Sequence, residues 1–151
     1  MVDVSGSKAS LAVGAGSISQ SRIQAARPRS GKAHVLIVED NELVTGALRI
    51  LFEETGRRVT VAHSVAEGVA AGESDPPDLL LLDLSLPDGD GLEVAFRLAQ
   101  AGIAPRATVA LTGRDDPASL QRCSDAGVTA VMVKPVATME LLTKTTEWLS
   151  A

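Results

Sequence analysis

The sequence predicts an α/β fold, a doubly wound five-stranded parallel sheet with helices on both faces. Two observations carry that prediction. Short apolar runs recur at 34–38, 59–62, 79–82, 108–111 and 130–133, and a helical pattern follows each of them. Strands alternating with helices in this way form a parallel sheet through right-handed crossovers. The run at 79–82, LLLL, is apolar at every position, which suits a strand covered by helices above and below.

The elements follow in order. The first strand, HVLIV at 34–38, ends against the acids Glu39 and Asp40. Beyond it, Leu43, Ala47, Ile50 and Leu51 share one face of a predicted helix. Gly56 stands where a helix C-cap belongs. VTVA at 59–62 is the second strand. Ser64 is placed to N-cap the next helix, with Glu67 three residues on completing a capping box. Asp75, Pro76 and Pro77 break that helix before the third strand. A helix is predicted through 92–98, stopping near Gly102, and TVAL at 108–111 is the fourth strand. Asp115 or Asp116 opens the next helix, with Pro117 suited to its first turn and Gly127 at its end. AVMV at 130–133 is the fifth strand, and Thr138 is expected to cap a last helix carrying Met139, Leu142 and Leu149.

A chain of 151 residues points to one domain. Hydrophobic residues at 45% and charged residues at 22% suit a soluble globular protein, and aromatics at 2% leave the core to aliphatic side chains. No run approaches the roughly 18 apolar residues of a membrane span. The single Cys123 excludes an internal disulfide and any metal-type cysteine spacing, and it fits a cytoplasmic setting. Residues 1–32 are rich in Ser, Gly and Ala and carry five basic groups against one acid, Asp3. They read as a disordered tail ahead of a domain at 33–151; an Arg- and Ser-rich, acid-poor segment is also the composition of a transit peptide. Residues 33–151 hold nine basic and eighteen acidic groups, a net charge of −9. So acidic a domain is expected to make no direct contact with nucleic acid.

In an open parallel sheet, ligands bind beyond the carboxyl ends of the strands. Glu39 and Asp40 follow the first strand, Asp83 the third, Thr112 and Gly113 the fourth, and Lys134 and Pro135 the fifth. The predicted fold brings three carboxylates, a hydroxyl and one ammonium to one edge. Clustered carboxylates repel unless they are neutralised, and Lys134 supplies one charge. A hard divalent cation with oxygen ligands, Mg2+, balances the rest. A carboxylate in such a site can attack a phosphoryl group and form an acyl phosphate, with Lys134 and the metal neutralising the phosphoryl oxygens and Thr112 donating to the product. Asp83 stands alone after the central strand and is the nucleophile; Glu39 and Asp40 form a pair suited to holding metal.

These residues resemble the receiver domain of two-component response regulators over 33–151. The matching pieces are VED at 38–40, LLDLSLPDGDGL at 81–92, ALTG at 110–113 and VKP at 133–135. Each alone is weak; all four, in order and each after a strand, are specific. The resemblance implies a flavodoxin-like strand order, 2-1-3-4-5. It implies Asp83 as phosphoacceptor, with Mg2+ held by Asp40, Asp83 and the backbone carbonyl of Ser85, and by Glu39 mainly through water. Lys134 would contact the phosphoryl group, Thr112 would be the switch hydroxyl, and the peptide before Pro135 would be cis. Ser85, Gly113 and Arg114 would flank the phosphoryl group. The donor would be a histidine kinase or a histidine phosphotransfer protein. Output would pass through the face of the fourth helix, fifth strand and fifth helix, to a downstream protein or to a second copy in a homodimer. One departure stands out: the position where many receivers carry a switching Tyr or Phe is Val131, and the chain has no Tyr. No output domain follows in the sequence, so a stand-alone receiver is expected.

Three rivals share part of this pattern. A hydrolase of the haloacid dehalogenase type would need a second acid two positions after the nucleophile, where Ser85 stands. A receiver fold used only for docking would not need the acidic set, Thr112 and Lys134. A phosphate shuttle would use the same chemistry to relay to another histidine protein. His34, His63 and Cys123 are read as structural or solvated side chains, and Trp148 as packing.

Overall fold

The computed structural model describes residues 2–3, 32–113 and 116–150. Eight strands and five helices run in the order β1 (Val2–Asp3), β2 (His34–Val38), α1 (Glu42–Glu54), β3 (Arg58–Ala62), α2 (Val65–Ser74), β4 (Leu79–Asp83), β5 (Ser85–Leu86), β6 (Gly89–Asp90), α3 (Leu92–Gln100), β7 (Ala107–Thr112), α4 (Pro117–Asp125), β8 (Ala130–Val133) and α5 (Thr138–Ser150). The main sheet is ordered β1-β8-β7-β4-β2-β3. Its five long strands are parallel and correspond to the predicted order 2-1-3-4-5. β1 adds a short antiparallel strand outside β8, with Val2 opposite Val131 and Asp3 opposite Ala130. β5 and β6 form a two-residue hairpin directly after β4.

Alternation along the strands divides the core in two. Val35, Ile37, Leu79, Leu81, Val109 and Leu111 pack under α1 and α5, against Leu48, Phe52 and Leu141. Leu36, Val38, Leu80 and Leu82 face α2 and α3, against Val65, Val94 and Leu98. Ala110 and Val131 meet Cys123 of α4 on that second side. Small residues bring α2 close to its neighbours: a Cβ added to Gly72 would lie 2.8 Å from the Leu98 side chain. Trp148 packs against the first cluster, in keeping with its reading as a packing residue.

Two local expectations are corrected. Leu43 and Ile50 of α1 are 84% and 58% exposed, whereas Thr45, Leu48 and Phe52 are buried. The inward stripe is therefore offset by about one residue, or ~100° around the helix, from the one the apolar pattern suggested. Leu48 and the larger Phe52 are buried with Val35 and Ile37 of β2 and Leu79 and Leu81 of β4. Thr138 is the first residue of α5 rather than its cap; the first turn closes with the Leu141 N–H donating to the Ala137 carbonyl at 3.0 Å.

The remaining ends follow their chemistry. Asn41 caps α1, its side-chain oxygen accepting from the Leu43 and Val44 N–H groups. Asp116 caps α4 with Pro117 in the first turn. Gly56, Gly102 and Gly127 follow α1, α3 and α4 with φ of 87°, 83° and 81°. At α2, Ser64 accepts from the Glu67 N–H at 3.1 Å, while Asp88, from the turn between β5 and β6, accepts from the Val65 and Ala66 N–H groups at 2.7 and 3.1 Å. These backbone bonds, Val65 first and then Ala66, hold the Asp88 carboxyl below its ordinary range. All three leading N–H groups of α2 are thus satisfied. Ser64→Ala is expected to lower stability by about 1 kcal/mol, read as a lower urea midpoint at unchanged slope.

Candidate phosphoacceptor site

The strand ends place the polar residues together at the carboxyl edge of the sheet. Asp83 ends β4, the central strand, and is 5% exposed. Glu39 follows β2 and is fully buried, its N–H donating to the Ala62 carbonyl of β3 at 3.0 Å. Asp40, next in the chain, is exposed. Each of the three carboxylates offers an oxygen within 4.8 Å of the others. Lys134, just past β8, reaches into this cluster, with Nζ 2.8 Å from Glu39 Oε1 and 3.4 Å from Asp83 Oδ2. The Lys134–Pro135 peptide is cis. Thr112 ends β7, nearly buried, opposite Val133 in register, and its carbonyl accepts from the Lys134 N–H at 2.7 Å.

The electrostatics follow from burial. The Asn41 N–H donates to Glu39 Oε2 at 3.0 Å. Glu39 Oε1 lies 2.8 Å from Lys134 Nζ, an ion pair with the ammonium. Burial, with help from the Asp83 charge, outweighs the Lys134 and Asn41 contacts and holds the Glu39 carboxyl above its ordinary range. Burial pulls the Lys134 ammonium the other way, but its contacts with Glu39 and Asp83 outweigh that pull and hold it above the usual lysine range. Three clustered carboxylates with one ammonium among them leave excess negative charge on oxygen ligands, a donor set that fits a hard divalent cation.

The loop residues are placed less directly. The Ser85 N–H donates to Asp83 Oδ1 at 3.1 Å, which orients the carboxylate, and Ser85 itself is exposed. Gly113 is exposed, and a Cβ there would meet nothing within 4 Å. Arg114 lies outside the described residues. Val131 is buried against α4 with 1% exposure. His34 lies at the opposite end of β2, where Nε2 is 2.7 Å from Thr60 Oγ1. His63 is half-exposed beside Glu67, and Cys123 is buried, with burial holding its thiol above the ordinary range.

Sequence reasoning missed one contributor. Gly91, at the start of α3, packs so tightly on β4 that an added Cβ would sit 1.9 Å from the Asp83 backbone oxygen. The segment DGDG at 88–91 holds the signal, a run of small and turn-forming residues soon after β4, but the spacing alone does not say which glycine makes the approach.

Known proteins share both pattern and fold. The family model for the response regulator receiver domain matches residues 35–146. The KDP operon transcriptional regulatory protein KdpE of Escherichia coli is 36% identical over 72% of this chain and 47% of its own length. The response regulator MprA of Mycobacterium ulcerans is 36% identical over 73% of this chain and 47% of its own. The chain thus spans about half the length of these relatives. Among solved structures, a CheY-like receiver domain protein from Methanospirillum hungatei superposes with a TM-score of 0.72 at 28% identity, covering 80% of this chain and 95% of that one. The chemotaxis protein CheY4 of Vibrio cholerae shares the fold at a TM-score of 0.73 and 23% identity. Receivers are signalling modules that work with histidine kinases and downstream effectors, and the family generally binds Mg2+ through acidic residues. Among the described residues, no helix is long and apolar enough to cross a membrane. With a family match across most of the chain and the acidic cluster, Thr112 and Lys134 at one sheet edge, this chain belongs to the response regulator receiver domains of two-component signalling.

Proposed function

We propose that Asp83 accepts a phosphoryl group from a phosphohistidine on a histidine kinase or histidine phosphotransfer protein. The observation that carries this reading is the Asp83 carboxylate at the end of the central strand, 3.4 Å from Lys134 Nζ and within 4.8 Å of the Glu39 and Asp40 oxygens. An Asp83 oxygen forms the new bond to phosphorus as the P–N bond breaks, and the electron pair leaves with the imidazole nitrogen. Lys134 lies beside the carboxylate, where its charge offsets the phosphoryl oxygens. Asp40, Asp83 and the Ser85 backbone carbonyl would hold Mg2+, with Glu39 acting through water, and the bound ion would supply positive charge to offset the phosphoryl oxygens.

After transfer, the Thr112 hydroxyl closes on a phosphoryl oxygen and moves the 113–116 segment ahead of α4. Gly113 leaves access open, and Ser85 and Arg114 flank the group and set its lifetime. The face of α4, β8 and α5 then changes shape and is read by a downstream protein or a second copy. The acidic domain itself signals through protein contacts, with no direct hold on nucleic acid. A relay to a further histidine protein would use the same chemistry.

Incubation with acetyl phosphate and Mg2+ followed by intact-mass measurement tests the chemistry. The expected result is a gain of one phosphoryl group that disappears with EDTA and in Asp83→Asn. A folded protein that gains nothing from acetyl phosphate or from phosphohistidine donors would leave a docking module as the surviving reading.

A further inference from the structure

The hairpin that follows β4 is held mainly from outside itself. Leu84, just before it, is fixed at the sheet edge: its N–H donates to the Leu111 carbonyl at 3.1 Å, and its carbonyl accepts from the Gly91 N–H at 3.2 Å. Between those anchors, Ser85 pairs with Asp90 and Leu86 with Gly89, and the chain turns through Pro87 and Asp88. So short a hairpin is marginal in water without further support. Its base is supported by Asp90, which accepts from the Leu92 N–H at 3.0 Å and pairs with Arg122 of α4. Its middle is supported by Leu86, buried in the same cluster as Val65 of α2. Its tip is supported by Asp88. One oxygen of that carboxylate accepts from the Val65 N–H at 2.7 Å, the other from the Ala66 N–H at 3.1 Å.

The Asp88 contact fixes two elements at once. A helix start normally takes its acceptor from the residue just before it, and α2 already has Ser64 in that place. Asp88 reaches the same start from the other side of the site, so the hairpin gains a fixed position from the bonds as much as α2 gains a cap. What the hairpin carries is Ser85. Its N–H donates to Asp83 Oδ1 at 3.1 Å, and its backbone carbonyl is the Mg2+ ligand of the function proposed above.

We propose that Asp88 is a positioning residue for the phosphoacceptor site: by tying the tip of the hairpin to the N-terminus of α2, it keeps Ser85 seated on the Asp83 carboxylate and the Ser85 carbonyl in place for Mg2+. The Mg2+ half rests on the receiver reading; the seating of Ser85 on Asp83 does not. Outer groups that orient a metal ligand commonly change metal affinity by tenfold or more when they are removed, and Asp88 acts in that way through the hairpin backbone.

The test compares Asp88→Ala, Asp88→Asn and Ser64→Ala with the wild-type chain. Ser64→Ala removes a cap of the same helix that does not touch the hairpin. Asp88→Asn and Asp88→Ala lose the same charge, but Asn keeps one acceptor oxygen, so the difference between them reports the bonds rather than the charge felt by a cation. The first measurement is amide nitrogen relaxation at Ser85 and Leu86 in the metal-free protein. We expect both amides to lose order in Asp88→Ala, to lie between in Asp88→Asn and to match wild type in Ser64→Ala. The second is the Mg2+ midpoint from the amide shifts of the same residues. It is expected to weaken on the order of tenfold in Asp88→Ala, less in Asp88→Asn, and not at all in Ser64→Ala. An Asp88→Ala variant with Ser85 as ordered as in wild type overturns the proposal. A Ser64→Ala variant that loosens Ser85 equally also overturns it, because the start of α2 rather than the tie to the hairpin would be the cause. So does Asp88→Asn matching Asp88→Ala in both measurements. Should Asp88→Ala fail to fold, Asp88→Ser replaces it, with the same charge as Asn and a hydroxyl too short to span both N–H groups. A wild type that takes up neither Mg2+ nor a phosphoryl group overturns the receiver reading instead, and the metal-free comparison still decides the role of Asp88.

Discussion

Gly91→Ala is expected to lower stability by about 3 kcal/mol and to slow phosphoryl uptake at Asp83 at least as strongly as it destabilises the fold. The glycine is not needed for its backbone angles, since Gly91 is right-handed helical with φ of −57°. It is needed for space. The added Cβ would fall 1.9 Å from the Asp83 backbone oxygen, 2.9 Å from its carbonyl carbon and 3.3 Å from the Leu84 Cα. Those are main-chain atoms, which no rotamer change can move aside. Either α3 backs away, losing the Gly91 N–H bond to the Leu84 carbonyl at 3.2 Å, or the end of β4 turns and takes the Asp83 carboxylate out of line with Lys134. Urea unfolding and the initial rate of uptake from acetyl phosphate measure the two effects. Gly113→Ala, where a Cβ meets nothing within 4 Å, is the internal control, expected to keep stability within ~0.5 kcal/mol. A Gly91→Ala variant as stable and as fast as wild type would show that the segment after β4 yields freely, contrary to the packing.

What could be read from the sequence is what repeats along it. Each long strand is a short aliphatic run with a polar residue at its end, so the parallel sheet and the edge where Glu39, Asp83, Thr112 and Lys134 meet were visible from spacing, while the strand order came only with the family resemblance. The inward face of α1 was not. Leu43, Ala47 and Ile50 make a good apolar stripe, but Leu48 and Phe52 make a bulkier one a residue away, and only the gap over the sheet selects between them. Contacts across long sequence separations were also hidden. Asp88 reaches 23 residues back to cap α2, and β1 pairs with a strand at the other end of the chain. Neither is encoded in a local pattern. Gly91 falls between the cases: its type is visible, but its need for contact with main chain appears only when α3 is docked.

Lys134→Met should destabilise the metal-free protein by about 3 kcal/mol near neutral pH, because it leaves Glu39 buried beside Asp83 with no cation. Its pH dependence separates that cause from lost packing. Glu39 already has a raised pKa in the folded chain, through burial first and then the Asp83 charge, and removing Lys134 takes away the contacts that offset both. A carboxyl with a raised folded pKa binds its proton in the native state before the unfolded one, so stability rises as pH falls through that window. The deficit of Lys134→Met is therefore expected to shrink from neutral pH toward the ordinary glutamate value of 4.5. Lys134 itself has the opposite sign. Its raised pKa means its contribution in the wild type is fully present below the ordinary lysine value and is lost only as pH rises through the folded one. Thermal melting of both proteins across pH, with and without Mg2+, measures all of this. If the cluster holds a divalent cation, Mg2+ adds back missing positive charge and should raise the melting temperature of Lys134→Met more than that of the wild type. A deficit that does not change with pH would mean that lost packing, rather than an uncompensated Glu39 charge, sets the cost. A variant that melts with the wild type throughout would mean that the Lys134 contacts contribute little net stability and that the residue is retained for the phosphoryl group.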